Sequence, residues 1–252
     1  MTEKQWKYFC DFKNELKQKV EEWTEQAPEL TDLQKEAARL AKNTEYSYET
    51  PVVYNRALDD IKQDDEIKLI VIGDNPGKDE QLKKNNRYLV GQAGKIAEGY
   101  FHRNPELGVD FRRNVIILNK TPIHSAKTLQ LNTIAKLGGP KIASLIKESQ
   151  IWMAEKTAAL HAELGTELWL VGYSELKDKK IFCPYRDTLK ACLINSKKAA
   201  WNRVYVFQHF SMNRFTIDLS DYVKAEKKEN APLESNIHEL GVLHKIEIFG
   251  TQ

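Results

Sequence analysis

Four short apolar segments most constrain how this chain can fold. They are rich in β-branched residues and occupy positions 67–72, 115–118, 168–171 and 204–207. Such runs are typical of strands that are buried on both faces of a sheet. The segments between them repeat apolar residues every three or four positions, which predicts helices, for example over 92–103. Strands alternating with helices favour an α/β fold, here a three-layer αβα sandwich with a central four-stranded parallel sheet.

The N-terminal part of the chain predicts helices that pack outside this sheet. An aromatic and aliphatic stripe recurs there at three- and four-residue steps, from Trp6 to Trp23. We expect residues 1–60 to form a helical extension, residues 67–214 to carry the core, and residues 1–252 to make a single domain. A last apolar stretch at 243–249 predicts an edge strand.

Charge and cysteine content exclude several classes of protein. The chain has 38 Lys and Arg against 36 Asp and Glu, a net charge of +2, which excludes a strongly basic nucleic-acid coat. Cys10, Cys183 and Cys192 form no CxxC pair, so we expect no disulfide framework, no metal site and no cofactor. No apolar run approaches the ~20 residues of a membrane span. The beginning of the chain lacks a signal-peptide pattern, and we expect a cytoplasmic monomer without a membrane partner.

The residues after the first strand are candidate ligand-binding residues, because ligands bind at the carboxyl ends of parallel strands. Residues 73–77 read Gly-Asp-Asn-Pro-Gly, a tight turn whose backbone can approach a ligand closely. Asp74 and Asn75 on this turn can hold a water or a ligand hydroxyl. A phosphate-binding Walker loop is excluded, because only three residues separate the glycines and an acidic residue follows the lysine.

Three further segments stand near the ends of strands or at the start of a helix. Residues 88–94 contain two glycines three apart at a helix start, which serve close packing or anion binding. Asn119 follows the second strand, and its amide can donate a hydrogen bond to a ligand carbonyl while it accepts one from an adjacent N–H. His209 follows the fourth strand and is followed by Ser211. The other histidines stand in helical or polar contexts and are expected at the surface: His102, His124, His161, His238 and His244.

Taken in order, these segments resemble the motifs of the uracil-DNA glycosylase superfamily. Residues 73–77 are similar to its first motif, a Gly-x-x-Pro loop, and His-Phe-Ser at 209–211 is similar to its final His-Pro-Ser. Residues 90–94 resemble the Val-Gly-x-Ala-Gly of the iron–sulfur branch, and residues 118–122 resemble the Asn-Leu-Cys-Pro of the single-strand-selective branch. The resemblance spans roughly 67–214. The cysteines of the iron–sulfur branch are missing, so no cluster is expected.

The resemblance implies a DNA-repair glycosylase that flips uracil or a related damaged base out of DNA and hydrolyses its N-glycosidic bond. Asp74 or Asn75 would position the water, and His209 would donate a hydrogen bond to a base carbonyl. The base-binding residues would be Gly73, Gly77, Tyr88, Leu89 and Asn119, with Tyr88 or Leu89 stacking on the base. We expect Asp74, Asn75, Tyr88 or Leu89, Asn119 and His209 to line one pocket.

The resemblance also implies contacts with single- or double-stranded DNA. Lys120, Ser211, Arg214 and the basic loop at 83–87 would contact phosphates, and Met212 would wedge into the space of the flipped base. A second function class stays open. The same scaffold can serve a catalytically inactive protein that binds a nucleobase or nucleic acid.

Overall fold

A computed structural model describes residues 1–194 and 198–251, and within these residues the chain forms four strands and nine α-helices. The strands are β1 (Leu69–Gly73), β2 (Val115–Asn119), β3 (Glu167–Val171) and β4 (Val204–Phe207). The helices are α1 (Glu3–Gln26), α2 (Leu30–Leu40), α3 (Gln92–Arg103), α4 (Gln130–Leu137), α5 (Gly139–Leu164), α6 (Cys183–Ile194), α7 (Lys198–Trp201), α8 (Arg214–Ala225) and α9 (Leu233–Phe249).

The four strands form one parallel sheet in the order β2-β1-β3-β4. The register pairs Gly73 at the end of β1 with Asn119 at the end of β2. The chain leaves β1 toward β2 on one side and returns to β3 on the other side of β1. The order therefore reverses between β1 and β3, and the helices that follow these two strands, α3 and α6, cover opposite faces of the sheet.

Alternate residues of each strand enter two separate apolar cores, as expected for a sheet covered on both faces. Ile70 and Ile72 of β1 face the core built with α1, α2, α4, α5 and α6, whereas Leu69 and Val71 face the core built with α3, α8 and α9. The second core is aromatic, and Trp169 lies between Phe101, Phe207 and Phe215. The α/β class and the three layers predicted from the sequence are confirmed.

The N-terminal helices join the core that contains Ile70 and Ile72, where α1 packs on α5 and α2 packs on α4. Thr2 and Gln5 form a capping box at the start of α1, which satisfies two of the free backbone N–H groups there. The buried stripe of α1 is Phe9, Phe12, Leu16, Val20 and Trp23. The α-helices of this region end at Leu40, and a short 3-10 helix follows at Arg56–Asp59. Between them, Val52 forms a bridge with Ile123 in the loop after β2.

The predicted edge strand at 243–249 is wrong, because these residues belong to α9. Their apolar pattern continues a helical stripe that begins earlier, at Ile237 and Leu240. Gly241 in that stripe lies so close to β4 that a Cβ there would be 2.7 Å from Phe207. The helix therefore crosses the face of β4, and the sheet gains no fifth strand from it.

The prediction that five histidines lie at the surface is also partly wrong. His124 and His161 are fully buried and His244 is 7% exposed. The His124 ring bonds to the Pro76 carbonyl through Nδ1 and to the Tyr46 hydroxyl through Nε2. Within the described part of the chain, no helix is both long and apolar enough to cross a membrane.

Candidate functional site

The reversal of strand order between β1 and β3 opens a crevice at the carboxyl edge of the sheet, where α/β proteins bind ligands. Asp74 follows β1 and Gly172 follows β3. Gly172 has φ +92°, and a Cβ at this position would lie 2.2 Å from Asp74 Oδ1. Only glycine fits there, and its small size lets the two loops approach at this point.

A cleft of about 440 Å³ opens at this point, and we call it the switch-point cleft. Residues that follow β1, β3 and β4 line it: Asp74, Gly172, Ser174, Glu175, Gln208, His209, Ser211, Met212 and Arg214. Asp74 and His209, which belong to two motifs far apart in the sequence, thus face the same space.

Lys120 lies beneath the cleft and holds Asp74 in place. Its side chain is fully buried, and Nζ donates to Asp74 Oδ1 at 2.5 Å, to the Val171 carbonyl at 2.5 Å and to the Gly73 carbonyl at 3.3 Å. These three acceptors match the three N–H donors of an ammonium group. Burial lowers the pKa of Lys120, and the Asp74 carboxylate opposes that shift. Because Gly73 and Val171 end β1 and β3, Lys120 also ties the two strand ends together.

The other oxygen of Asp74 has a partner as well. Thr128 Oγ1 donates to Asp74 Oδ2 at 3.2 Å. The side chain of Asp74 is 13% exposed, so its carboxylate reaches the cleft while both oxygens are held by the protein. Such contacts restrict the carboxylate to one orientation before any ligand binds.

His209 is oriented by the loop that follows it. The Ser211 backbone N–H donates to His209 Nδ1 at 3.1 Å, and Ser211 Oγ lies 2.8 Å from the same nitrogen. Nδ1 is therefore the acceptor, which assigns the ring proton to Nε2. Burial lowers the pKa of His209, although the Asp74 carboxylate opposes the shift. At neutral pH the ring is thus a neutral donor at Nε2.

The loop at 210–214 is anchored at one end and strained in its middle. Phe210 is fully buried against Phe215, so it anchors the loop in the second apolar core. Met212 and Asn213 have φ of +54° and +57°, a left-handed conformation that non-glycine residues rarely adopt. Met212 is 72% exposed, and the exposed Arg214 begins α8 beside it. The strain presents an apolar side chain to solvent at the cleft.

Asn75 and Asn119 do not line the switch-point cleft. The Asn75 amide is turned toward the loop after β2, where Nδ2 donates to the Ser125 carbonyl and hydroxyl at 3.1 and 3.0 Å. Asn119 is 1% exposed and packs against Gly73, where a Cβ would lie 2.5 Å from its Oδ1. Its Nδ2 is buried and has no hydrogen-bond partner among the described residues.

Tyr88 and Leu89 lie in the second apolar core and not in the cleft. The Tyr88 hydroxyl donates to the Val53 carbonyl at 2.6 Å, and Leu89 has φ +50°. A Cβ on Gly94 would lie 1.5 Å from the Leu89 carbonyl oxygen, so this glycine serves close packing. A Cβ on Gly91 would lie 3.3 Å from Asp79 Oδ2. The acidic side chain of Asp79 therefore lies near the N-terminus of α3.

The expectation that one pocket collects the predicted base-binding residues is therefore corrected. The structure brings Asp74 and His209 together but leaves Asn75, Tyr88, Leu89 and Asn119 outside the cleft. Gly77 and Gly73 do not line it either, and nothing lies within 4 Å of a Cβ built at Gly77. Of the residues in the turn at 73–77, only Asp74 lines the cleft, and the others shape the loop.

The prediction that Lys120 contacts a DNA phosphate is wrong, because its ammonium group is fully buried and cannot reach one. Ser211, Met212 and Arg214 lie at the cleft. The basic loop at 83–87 keeps Lys83 and Lys84 exposed, and its Arg87 pairs with Asp60 away from the cleft.

Sequence reasoning missed the residues that follow β3. Gly172, Ser174 and Glu175 line the cleft, and Glu175 Oε2 is buried without a hydrogen-bond partner in the described part of the chain. The strand-end argument used for β1, β2 and β4 applies equally to β3, whose predicted end is followed directly by Gly172. Gly172 was therefore the feature of the sequence that could have indicated cleft residues after β3.

Comparison with known protein families, curated proteins and solved structures finds no match for this chain.

Proposed function

We propose that this protein is a DNA N-glycosidase of the uracil-DNA glycosylase type, which binds a flipped nucleobase in the switch-point cleft and hydrolyses its glycosidic bond. The observation that carries the proposal is the convergence of Asp74 and His209 in one cleft between β1 and β3. Cleavage of this bond develops positive charge on the sugar and negative charge on the departing base, so a fixed carboxylate and a fixed neutral donor suit it.

In this proposal Asp74 stabilises the cationic sugar and accepts a hydrogen bond from the attacking water. Lys120 and Thr128 hold its two oxygens, so the carboxylate needs no reorganisation as charge develops. Asn75 is the weaker candidate for the water-positioning residue, because its amide already donates to Ser125.

His209 supplies the donor for the departing base. Its Nδ1 accepts from Ser211, which leaves the Nε2 proton for a base carbonyl oxygen that gains negative charge. A neutral imidazole can fill this role, because its Nε2 carries the proton while Nδ1 accepts from Ser211.

The loop at 210–214 fits the DNA-contacting side of the cleft. Met212 is an exposed apolar side chain that can fill the gap left by a flipped base, and Arg214 can pair with a phosphate. Ser211 is already engaged with His209 and contributes mainly by orienting that ring.

A second function is favoured by one observation. Both oxygens of Asp74 already accept hydrogen bonds from the protein, which limits the ways in which a water can be held for attack. A non-catalytic protein that binds a nucleobase in the same cleft would show this arrangement equally well.

A cleavage and binding screen separates the two functions. Oligonucleotides carrying uracil, hypoxanthine, xanthine or a mismatched thymine, single- and double-stranded, are incubated with excess protein, and abasic sites are detected by alkaline strand cleavage. Abasic product with at least one base supports the glycosidase. Binding of a lesion-containing strand over its undamaged control, without product, supports the binding protein. The absence of both abasic product and preferential binding would contradict both functions.

A further inference from the structure

At the amino edge of the sheet, opposite the switch-point cleft, three potential metal-binding side chains meet. Glu167 is the first residue of β3, and Glu234 and His238 lie four residues apart on α9, so they share one helix face. One ligand atom from each of the three lies within 4.8 Å of the other two. We call this set the β3–α9 cluster.

Two members of the β3–α9 cluster are held in place by neighbouring groups. His238 Nε2 lies 2.7 Å from Glu167 Oε1, and Trp169 Nε1 donates to Glu167 Oε2 at 2.9 Å. The His238 ring stacks on Tyr205 with a centroid distance of 4.6 Å and an angle of 11°. The Trp169 donation and the Tyr205 stacking are outer contacts of the kind that orient metal ligands in proteins, whereas a bound ion would replace the contact between His238 and Glu167.

The cluster borders a cavity of about 190 Å³, which leaves room for water beside it. Two carboxylates there give a local charge that a divalent cation balances. Lys68 also lines the cavity, but its ammonium donates to the Gly108 carbonyl at 2.8 Å and pairs with Glu66 at 3.4 Å. The ammonium of Lys68 is thus already bound to groups outside the cluster.

We propose that the β3–α9 cluster binds one divalent transition-metal ion, with Zn²⁺ as the best fit. One imidazole and two carboxylates with water in an open position suit Zn²⁺, whereas Mg²⁺ and Ca²⁺ prefer oxygen ligands alone. Because Glu167 belongs to the sheet and the other two ligands belong to α9, the ion joins the last helix to β3. Its role is to stabilise that docking, independently of any chemistry in the switch-point cleft.

Calorimetric titration of the untagged, metal-free full chain with ZnCl₂ tests the site, with MgCl₂ as the second titrant. We expect one Zn²⁺ per chain and no comparable Mg²⁺ binding. Glu234→Gln and His238→Ala should each weaken Zn²⁺ binding by about 100-fold or more, since even the outer partners of metal ligands contribute 10- to 100-fold. His102→Ala is the matched control, because His102 is an exposed histidine outside the cluster.

Thermal unfolding of the same proteins gives a second readout. Zn²⁺ should raise the midpoint temperature of the wild type and of His102→Ala but not that of the two cluster variants. Glu234 is exposed, so Glu234→Gln keeps the fold, which circular dichroism verifies. No Zn²⁺ binding by the wild type would show that Glu167 and His238 form an ion pair only. Equal binding by all four proteins would assign the ion to cysteines or other surface groups. Either result overturns the proposal.

Discussion

At the residue scale, the ion pair between Lys120 and Asp74 connects the stability of the fold to the cleft. We expect Asp74→Ala to lower the free energy of unfolding by about 3 kcal/mol, because it leaves a buried ammonium without its counter-ion. Urea denaturation measures this loss. Glu36→Ala is the control, since it removes one partner of an exposed pair with Arg39, and such pairs contribute about 0–1 kcal/mol. Equal losses in the two variants would contradict a charged Lys120.

The pH dependence of stability has two opposing sources in the loops after β1 and β2. Burial lowers the pKa of His124 from 6.5 to about 4, so the unfolded chain binds more protons than the folded chain between these values. Stability from His124 therefore rises with pH over this window. Burial raises the pKa of Glu80 from 4.5 to about 7, so stability from Glu80 falls as pH rises from 4.5 to 7.

Each effect amounts to about 3 kcal/mol, and in the wild type they largely cancel between pH 4.5 and 6.5. Single substitutions separate them. We expect the stability of Glu80→Gln to rise with pH over this window and that of His124→Gln to fall, as measured by denaturant unfolding at a series of pH values. Parallel curves for the two variants would show that neither group titrates as its burial implies.

At the scale of the element, the docking of α3 depends on one glycine of its first turn. Gly94→Ala places a Cβ 1.5 Å from the Leu89 carbonyl oxygen, so the helix must shift, and we expect a loss of about 1–3 kcal/mol or more. Gly77→Ala is the matched control, because nothing lies within 4 Å of its Cβ and a change within about 0.5 kcal/mol is expected. Thermal or chemical unfolding distinguishes the two.

The loop between β4 and α8 carries a prediction that follows from the proposed function. Unstacking a base costs a few kcal/mol in a duplex and less in a single strand. We expect Met212→Ala to slow cleavage of a double-stranded substrate by about 10-fold or more while leaving the single-stranded rate nearly unchanged. Ile217→Ala, which truncates an exposed apolar residue on α8, is the control. Equal slowing on both substrates would argue against a wedge.

At the scale of the whole molecule, the strands and layers were predictable because short apolar segments with β-branched residues are typical of strands buried on both faces. The strand order was not predictable, since it depends on which side of β1 each crossover passes. The edge-strand prediction at 243–249 was wrong because that segment is too short to show the period of α9. The buried residues of this helix begin at Asn236 and Ile237, before the segment, and include Gly241 and His244.

The candidate site was predictable in part for a related reason. Asp74 follows β1 directly and His209 follows β4 after one residue, so the parallel topology alone brings them to one edge of the sheet. Tyr88 and Asn119 are near the same motifs in sequence, but their side-chain direction depends on packing: the Tyr88 hydroxyl binds Val53, and Asn119 packs against Gly73. Lys120 resembles a surface base in sequence, and only its three buried acceptors show otherwise.

The most direct test of the central claim is single-turnover release of uracil from single- and double-stranded oligonucleotides by the wild type, His209→Ala and Asp74→Asn, with His102→Ala as the control. The wild type and His102→Ala should form abasic product at equal rates. His209→Ala should be slower by about 10²–10³-fold, the usual cost of one transition-state donor, and Asp74→Asn should also lose activity while circular dichroism shows a retained fold. Release of uracil by His209→Ala at the wild-type rate, or no product from the wild type with uracil or any other base of the screen, would contradict the assignment of the switch-point cleft.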